Sequence, residues 1–473
     1  MLISASFAAL VMIALTTAYF VAWALTQIGM AGIAGLSMWR HQRRHSRRAM
    51  ALVDRISLPL VSIVVPARNE ELTIVESLRG LLAFDYPREI VVVNDGSSDG
   101  TLALLQRTFQ LLPAPLAYLQ PLPTARVRGI YRSAADPALV VVDKESAGSK
   151  SDASNAGINA ASGELVLVMD ADTVLAPDAL SRSVLPFLED RSTIAAGSDV
   201  MIVNGSIVDH GRVTNVALPR SWFARLQIVE YMRAFRLFRA ACASFNGLLI
   251  LSGAFALFRR DAVIAVGGYD ATAIGEDMDL TVRLQKYFRR RREPFRIVFV
   301  PSPLCFTQAP EDWISLRSQR LRWRRGLLQV LWRHRGMIGN PRFGLVGVIM
   351  LPYTVVFEGF APLLELSSYA VTTAVFLMGG LDLRHYVLIV LIWTFFGTAV
   401  SMIAVLLNDL ASGKYMRGAD LPRLIAVALI ENYGYRQLNA WWGCVGTVQA
   451  ITGTGGWGTM KRRAFAGAGV PQA

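Results

Sequence analysis

Two carboxylates one residue apart, Asp170 and Asp172, follow the apolar run Leu165–Met169. In that spacing both can reach one hard cation, Mg²⁺ or Mn²⁺. Such a cation neutralises a diphosphate leaving group as a sugar departs from it. The bland alternative is an ordinary acidic turn. Asn94-Asp95-Gly96 puts another carboxylate at the end of an apolar run, with a glycine that lets the backbone turn. Asp95 is placed there to accept hydrogen bonds from a nucleobase, unless the loop, Asp99 included, only caps the next helix. Glu276 and Asp277 follow the Gly267-Gly268-Tyr269 turn and precede the helical pattern Met278–Lys286. They are either an acidic first turn complementing the helix dipole or the seat of a general base that deprotonates an acceptor hydroxyl. The stretch from Gln319 to Gly326 joins planar guanidinium groups, which suit pyrophosphate oxygens, to Trp323, an apolar plateau of the kind a sugar ring stacks on. A basic amphipathic helix on a membrane surface is the competing account. The run Arg289–Arg292 has no such neighbours and reads as solvated or lipid-facing charge.

The elements that must hold these residues are legible as well. Continuous apolar runs at Val61–Pro66, Glu89–Asn94, Leu139–Asp143 and Glu164–Asp170 predict strands. Helical patterns at Glu71–Leu82, from Thr101, and at Asp152–Ala161 alternate with them. That alternation predicts a parallel sheet covered on both faces. Ligands bind such sheets beyond the carboxyl ends of the strands. The polar clusters Ala67–Glu71, Asn94–Gly100 and Asp170–Asp172 stand there. No GxGxxG follows the first strand, which disfavours a dinucleotide fold of the NAD type. There is no internal repeat or low-complexity tract.

Composition adds a membrane. The chain is 53% hydrophobic and 18% charged, with a mean hydropathy of +0.39. That excludes a disordered or collagen-like chain and points to a membrane protein. Leu2 to Trp39 carries no charge and is followed by Arg40, Arg43, Arg44, Arg47 and Arg48. A cleaved signal peptide would be charged in front and shorter; a tight hairpin would also fit the length. The positive-inside rule puts Met1 outside and residue 40 onward in the cytoplasm. Apolar character returns at Phe343–Gly380 and Tyr386–Leu407, and crossings are expected at Glu358–Gly380 and Tyr386–Leu407. Lys414, Arg417 and the tail Lys461–Arg463 should both be cytoplasmic, so Leu421–Ile451 is expected to lie in or on the interface. Three spans result. Glu358 and Glu365, seven apart, are expected on one helix face. Cys242, Cys305 and Cys444 are too scattered for a disulfide framework or a zinc site and read as free thiols. The net charge of +13 suits lipid headgroups or a phosphorylated substrate. Nucleic acid is rejected as a partner, because the arginine clusters lie beside membrane segments or in the Gln319–Gly326 stretch.

Taken in order, Asp95, Asp170/Asp172, Glu276-Asp277 and Gln319-Arg-Leu-Arg322-Trp323 resemble the "D, DxD, ED, QxxRW" set of the membrane-embedded family 2 glycosyltransferases. These are the cellulose, chitin, hyaluronan and poly-N-acetylglucosamine synthases. The resemblance runs from about Leu60 to Arg325 and includes Pro66–Glu71, Lys150 with Asn155-Ala-Gly157, and Ser252-Gly-Ala-Phe255. It implies a GT-A-type α/β catalytic domain with a Rossmann-like mixed sheet, plus helical transmembrane and interfacial segments. It implies that Asp95 holds uracil, with Pro66, Arg68, Asn69 and Glu70 around the nucleoside. Asp172 would bind Mg²⁺ or Mn²⁺, and Asp170 the metal or the nucleotide. Asp277 would be the catalytic base of an inverting transfer, with Glu276 beside it at the substrate. Gln319, Arg322 and Trp323 would hold the diphosphate and the acceptor's terminal sugar, and Lys150 would contact the donor. Gly456–Arg462 is similar to the gating loop of hyaluronan and chitin synthases, so Trp457 and Lys461 would close over the nucleotide. No Phe-x-Val-Thr gating motif of the cellulose type is present.

The expectation is a multi-pass enzyme of a bacterial inner membrane, extending a β-linked glycan from UDP-GlcNAc or UDP-Glc. Its parts would be a transmembrane helix at 1–39, a cytoplasmic GT-A domain at 50–340, transmembrane helices at 341–410, and an interfacial segment with a gating tail at 411–473. Its partners would be the UDP-sugar, a glycan or lipid-linked acceptor, membrane lipids, and export or regulatory subunits. The rivals are a non-processive enzyme adding one sugar to a lipid and an inactive partner of an export complex.

Overall fold

A computed structural model describes residues 2–45, 58–114, 118, 120–411 and 420–455. At its centre is a ten-stranded mixed sheet in the order β3-β4-β5-β2-β1-β6-β11-β8-β12-β7. The strands are β1 Val61–Ala67, β2 Arg88–Asp95, β3 Leu111–Pro113, β4 Val127–Ser133, β5 Leu139–Lys144, β6 Leu165–Val168, β7 Val174–Leu175, β8 Thr193–Ile202, β9 Ile207–Asp209, β10 Arg212–Asn215, β11 Ala256–Arg259 and β12 Arg296–Thr307. β9 and β10 form a separate hairpin. The four expected strands are the parallel block β5-β2-β1-β6. Their Val, Ile and Leu side chains are almost wholly buried, each stabilising by about 1.5–3 kcal/mol. The sheet is not parallel throughout, however. β11 runs antiparallel between β6 and β8, and β4 runs antiparallel on β5.

This order places a crevice. From β1 the chain steps outward through β2 to β5, then crosses back to β6 on the other side of β1. The reversal lies between β1 and β6, where open α/β sheets bind ligands beyond the strand ends. Pro66 helps to open it. The Val64 carbonyl accepts from Met169 N at 3.1 Å, so two residues on, Pro66 also faces the β6 side. The β1–β6 pairing has ended at Val64, and the missing proline N–H costs no ladder bond.

Three helical stretches are long and apolar enough to cross a membrane: Val11–Arg40, Val346–Leu377 and Leu383–Asn408. Leu2–His45 is one continuous helix, not a hairpin. The second stretch starts twelve residues before the expected Glu358 and is not uniform. It contains π-helical turns at Val346–Met350 and Val355–Gly359 before the regular helix Ala361–Leu377. A π turn resets helical phase, so Glu358 and Glu365 do not share a face. Glu358 is exposed, whereas Glu365 is buried and bonded by Arg436 Nε at 2.8 Å. The segment expected at the interface forms helices Asp420–Ile430 and Tyr435–Thr452, the latter packed along Trp313–Arg333 and Ala361–Leu377. Lys414, Arg417 and Lys461–Arg463 lie outside the described residues.

Arginines join the sheet domain to these helices. Arg236 pairs with buried Asp199 of β8 at 2.6 Å and donates to the Asn408 carbonyl at 3.0 Å. Arg320 holds Glu230 at 2.5 and 2.8 Å and the Tyr435 hydroxyl at 3.2 Å. A planar, weakly hydrated fork suits such buried ties better than an ammonium.

Candidate active site

The β1–helix loop and the β2–helix loop are laced together. Asn69, at φ +57°, accepts from Ser98 N at 2.8 Å, and its own N–H donates to Ser97 Oγ at 3.0 Å. Buried Glu70 donates its N–H to Thr101 Oγ1 at 3.0 Å and accepts from Thr73 Oγ1 at 2.9 Å. Glu71 lies outside the helix, which begins at Ile74; its carboxylate accepts from Gly100 N at 3.1 Å. Asp99 accepts from Thr101 N at 3.0 Å, just before the helix Thr101–Phe109, whose N-cap residue is Gly100. Asn69 and Glu70 therefore shape this edge of the crevice, while Arg68 is exposed beside them. Asp95 ends β2 and is almost buried, accepting from Lys144 Nζ at 2.7 Å and Ser146 Oγ at 3.1 Å. Gly96, at φ +59°, turns the chain immediately after it.

Helix Lys150–Ala160 is the hub of the site. It is strongly polar, yet Ser151 to Asn159 are all buried. A buried polar helix must spend its side chains on partners, and this one does. Asp152 pairs with Lys144 at 2.5 Å and accepts from Ala125 N at 2.9 Å. Asn155 grips Tyr269 from both sides, Nδ2 to the carbonyl and Oδ1 from N–H, each at 2.8 Å. Asn159 does the same for Leu122 at 3.1 and 2.8 Å. Gly157 lets the helix lie directly on β1, since a Cβ there would sit 2.3 Å from Val64 Cγ1.

Lys150, in the first turn, reaches across the crevice. Its Nζ is ion-paired with Asp170, lies 4.0 Å from Glu276 Oε1 and donates to the Gly253 carbonyl at 3.3 Å. β11 begins opposite the end of β6, which sets Ser252–Phe255 beside Asp170. Gly253 N donates to Asp277 Oδ2 at 3.3 Å, and Asp277 Oδ1 accepts from Met278 N at 2.8 Å. Asp172 is buried nearby in sequence. Burial pulls the Lys150 ammonium down, but Asp170, Glu276 and Asp277 outweigh it and hold its pKa above the usual value. Burial, with the Asp277 charge added, pushes the Glu276 carboxyl up to about 7. A folded pKa above the ordinary 4.5 contributes stability at low pH that is lost as pH rises through about 7. Glu276→Gln should abolish that loss, so its melting temperature should change less than wild type's between pH 4.5 and pH 8. Parallel melting curves across that window check it.

Helix Glu276–Arg291 is tied to Trp313–Arg333 through fully buried Asp279, which meets Arg283 Nε at 2.7 Å and His334 Nε2 at 3.1 Å. Burial works to raise the Asp279 pKa, but the His334 bond and the Arg283 charge hold it at about 2. The two helices touch where Gly326 meets Gly275, and a Cβ on Gly326 would sit 2.9 Å from Gly275 N. Gly326→Val should lower the melting temperature and transfer rate together, as overpacking costs about 1–3 kcal/mol. An unchanged rate would detach this contact from the site.

Within Gln319–Gly326 the arginines divide. Arg320 is bound as above, Arg324 Nε donates to Thr447 Oγ1 at 2.9 Å, and Arg325 bonds the Gly455 carbonyl. These three serve packing rather than a membrane surface. Arg322 acts electrostatically on Glu276. Gln319 is buried, and its Oε1 has no hydrogen-bond partner among the described residues. Trp323 is 42% exposed, with the Arg320 guanidinium 4.7 Å over its ring. Trp457 and Lys461 lie outside the described residues. The run Arg289–Arg292 is only partly solvated: Arg289 donates to the Asn246 carbonyl at 3.1 Å, while Arg290 to Arg292 are exposed.

Residues 59–326, more than half of the chain, match the family model described as glycosyltransferase like family 2. The chain belongs to the family 2 glycosyltransferases. The poly-β-1,6-N-acetyl-D-glucosamine synthases of Staphylococcus aureus strain COL and Staphylococcus epidermidis are each 27% identical to it over 274 residues. Those residues are 58% of this glycosyltransferase and 56% of either relative, so the match spans little more than half of the relatives' length. Among solved structures, a mannosyltransferase from Pyrobaculum calidifontis in complex with GDP-Man and Mn²⁺ aligns over 92% of this chain and 99% of its own, at 18% identity and TM-score 0.49. Staphylococcus aureus TarS 1-349 aligns over 80% and 91%, at 16% identity and TM-score 0.38. By its family model and its own ten-stranded mixed sheet the glycosyltransferase has a GT-A-type fold, together with three helices of membrane-spanning length.

Its donor set is compatible with a divalent cation. Asp170 and Asp172 lie in the turn that follows β6, and among the described residues no group of three His, Cys, Asp or Glu is gathered as a metal site. Two carboxylates that leave other positions to phosphate oxygens and water suit Mg²⁺ or Mn²⁺. Sequence reasoning missed Lys144 and Asp152 as parts of this site, and it named Asn155, Gly253 and Tyr269 without giving them a role there. The signal for Lys144 was a lysine, scarce in this chain, at the end of a strand that is apolar from Leu139 to Val142.

Proposed function

We propose that this glycosyltransferase is an inverting, metal-dependent, processive synthase of a β-linked glycan. The observation that carries the reading is the convergence at one crevice of Asp95, Lys150–Asp170, and Glu276-Asp277 backed by Gly253. UDP would enter with uracil at Asp95, the Pro66–Glu70 loop around the nucleoside, and the diphosphate toward Lys150 and Arg322. Asp277 takes the proton from the acceptor hydroxyl, whose oxygen attacks the anomeric carbon in line while the bond to UDP breaks. Lys150 and Arg322 meet the charge that develops on the departing diphosphate. A cation held by Asp172 and Asp170 would supply further charge neutralisation. Gln319 Oε1 offers an acceptor to a sugar hydroxyl, and the exposed part of the Trp323 ring a stacking surface.

The polymer-forming names of the staphylococcal relatives favour UDP-GlcNAc over UDP-Glc. Three apolar helices and the basic residues after the first favour an inner membrane, with residue 1 outside and the sheet domain in the cytoplasm. The remaining proposed parts keep the boundaries expected from the sequence: the GT-A domain at 50–340 and an interfacial segment with a gating tail at 411–473. Purified protein should release UDP from UDP-GlcNAc in preference to UDP-Glc, UDP-Gal and UDP-GlcA, and EDTA should stop it. Release from none of the four donors would contradict the proposal and favour an inactive partner.

A further inference from the structure

Lys144 ends β5 with no exposed surface at all. Burying an ammonium costs several kcal/mol unless its partners are good, and the rest of β5 up to Val142 is apolar. Its Nζ donates to Asp95 Oδ1 at 2.7 Å and to the Glu145 carbonyl at 2.6 Å, and it is ion-paired with Asp152 Oδ2 at 2.5 Å. Asp95 stands at the expected nucleobase position, and Asp152 lies in the first turn of the helix that carries Lys150. The ammonium therefore links the base end of the crevice to its phosphate end. The other oxygen of Asp95 is fixed by Ser146 Oγ at 3.1 Å, and Ser146 Oγ is itself set by Gly148 N at 3.1 Å.

With both oxygens anchored by donors, Asp95 keeps one orientation and presents only acceptor lone pairs. A base with a ring N–H at that edge, as in uracil, is bonded. A base with a bare ring nitrogen there, as in cytosine, meets acceptor against acceptor. Discrimination of this kind grows when the protein group cannot turn away.

We propose that Lys144 is a positioning residue that sets nucleobase selection, by locking Asp95 between itself and Ser146 and fixing it relative to the Lys150 helix. The inference rests on the reading of Asp95 as the uracil contact. Its test is titration of UDP and of CDP into the purified full-length protein, as wild type, Lys144→Met, Ser146→Ala, Asp95→Asn and Lys144→Met/Asp95→Asn. Wild type should prefer UDP. Lys144→Met should cut the UDP-to-CDP preference about tenfold or more, as expected for unpairing a buried charge, and Ser146→Ala should cut it several-fold. Asp95→Asn should add little to Lys144→Met, since both act at one carboxylate. A folding defect would lower the active fraction and leave the preference ratio unmoved. A wild-type ratio in Lys144→Met, or fully additive losses, would overturn the inference. Should Lys144→Met not fold, exposed Ser146→Ala decides alone, and an unchanged ratio there overturns it. Wild type binding UDP and CDP equally would instead remove the uracil reading itself.

Discussion

Asp277→Asn is expected to lower kcat by about 10²–10⁴-fold, the usual worth of a positioned general base, with UDP affinity close to wild type. The geometry separates the two effects. Asp277 Oδ1 is held by Met278 N and Oδ2 by Gly253 N, so the carboxylate is oriented from two sides at a helix start. An asparagine is isosteric there but cannot take a proton. Nucleotide affinity is assigned instead to Asp95 and Lys150, on other elements. Titration of UDP beside steady-state rates with UDP-GlcNAc checks both halves. A variant that keeps its rate, or loses UDP binding in proportion, would remove Asp277 from the role of base.

The second large effect is expected at Asp172. Asp172→Asn should lower kcat/KM by several kcal/mol equivalent, about 10³-fold, the scale of charge stabilisation a bound cation supplies. UDP binding should at the same time become insensitive to EDTA. Uridine, which carries no phosphate, should bind the variant and wild type alike. Asp170 is a less clean probe, because its carboxylate also pairs with Lys150. Titrating Mn²⁺ and Mg²⁺ into both proteins, with rate and UDP affinity as readouts, makes the comparison. Equal EDTA sensitivity in wild type and variant would contradict the assignment of the cation to Asp172.

What the sequence disclosed follows from where burial is one-dimensional. β1, β2, β5 and β6 are buried on both faces, so their apolar runs are continuous and carry their own boundaries. β4, with exposed and half-buried residues along most of its length, has no such run. β12 hides behind Pro301 and Pro303, where its pairing with β8 shifts register. β8 contains Ser198 and Asp199, acceptable in a core only because Arg236 comes from far along the chain. The same division governs the site. Carboxylates at strand ends announce themselves by position, but Lys144, Asp152 and Asn155 matter through partners distant in sequence. The arginines of Gln319–Gly326 looked alike as a basic run, and only packing shows that Arg320 holds Glu230, Arg324 holds Thr447 and Arg325 holds the Gly455 carbonyl. The equal spacing of Glu358 and Glu365 misled because a π turn between them breaks the 3.6-residue phase.

The most direct test of the account is product length under limited turnover. Purified full-length protein in lipid nanodiscs would be given labelled UDP-GlcNAc with Mn²⁺ or Mg²⁺, stopped while most donor remains, and its products sized. The account predicts long β-linked chains beside unused donor, absent with EDTA and absent in Asp277→Asn. A single sugar on a lipid, or no transfer from any UDP-sugar, would contradict it.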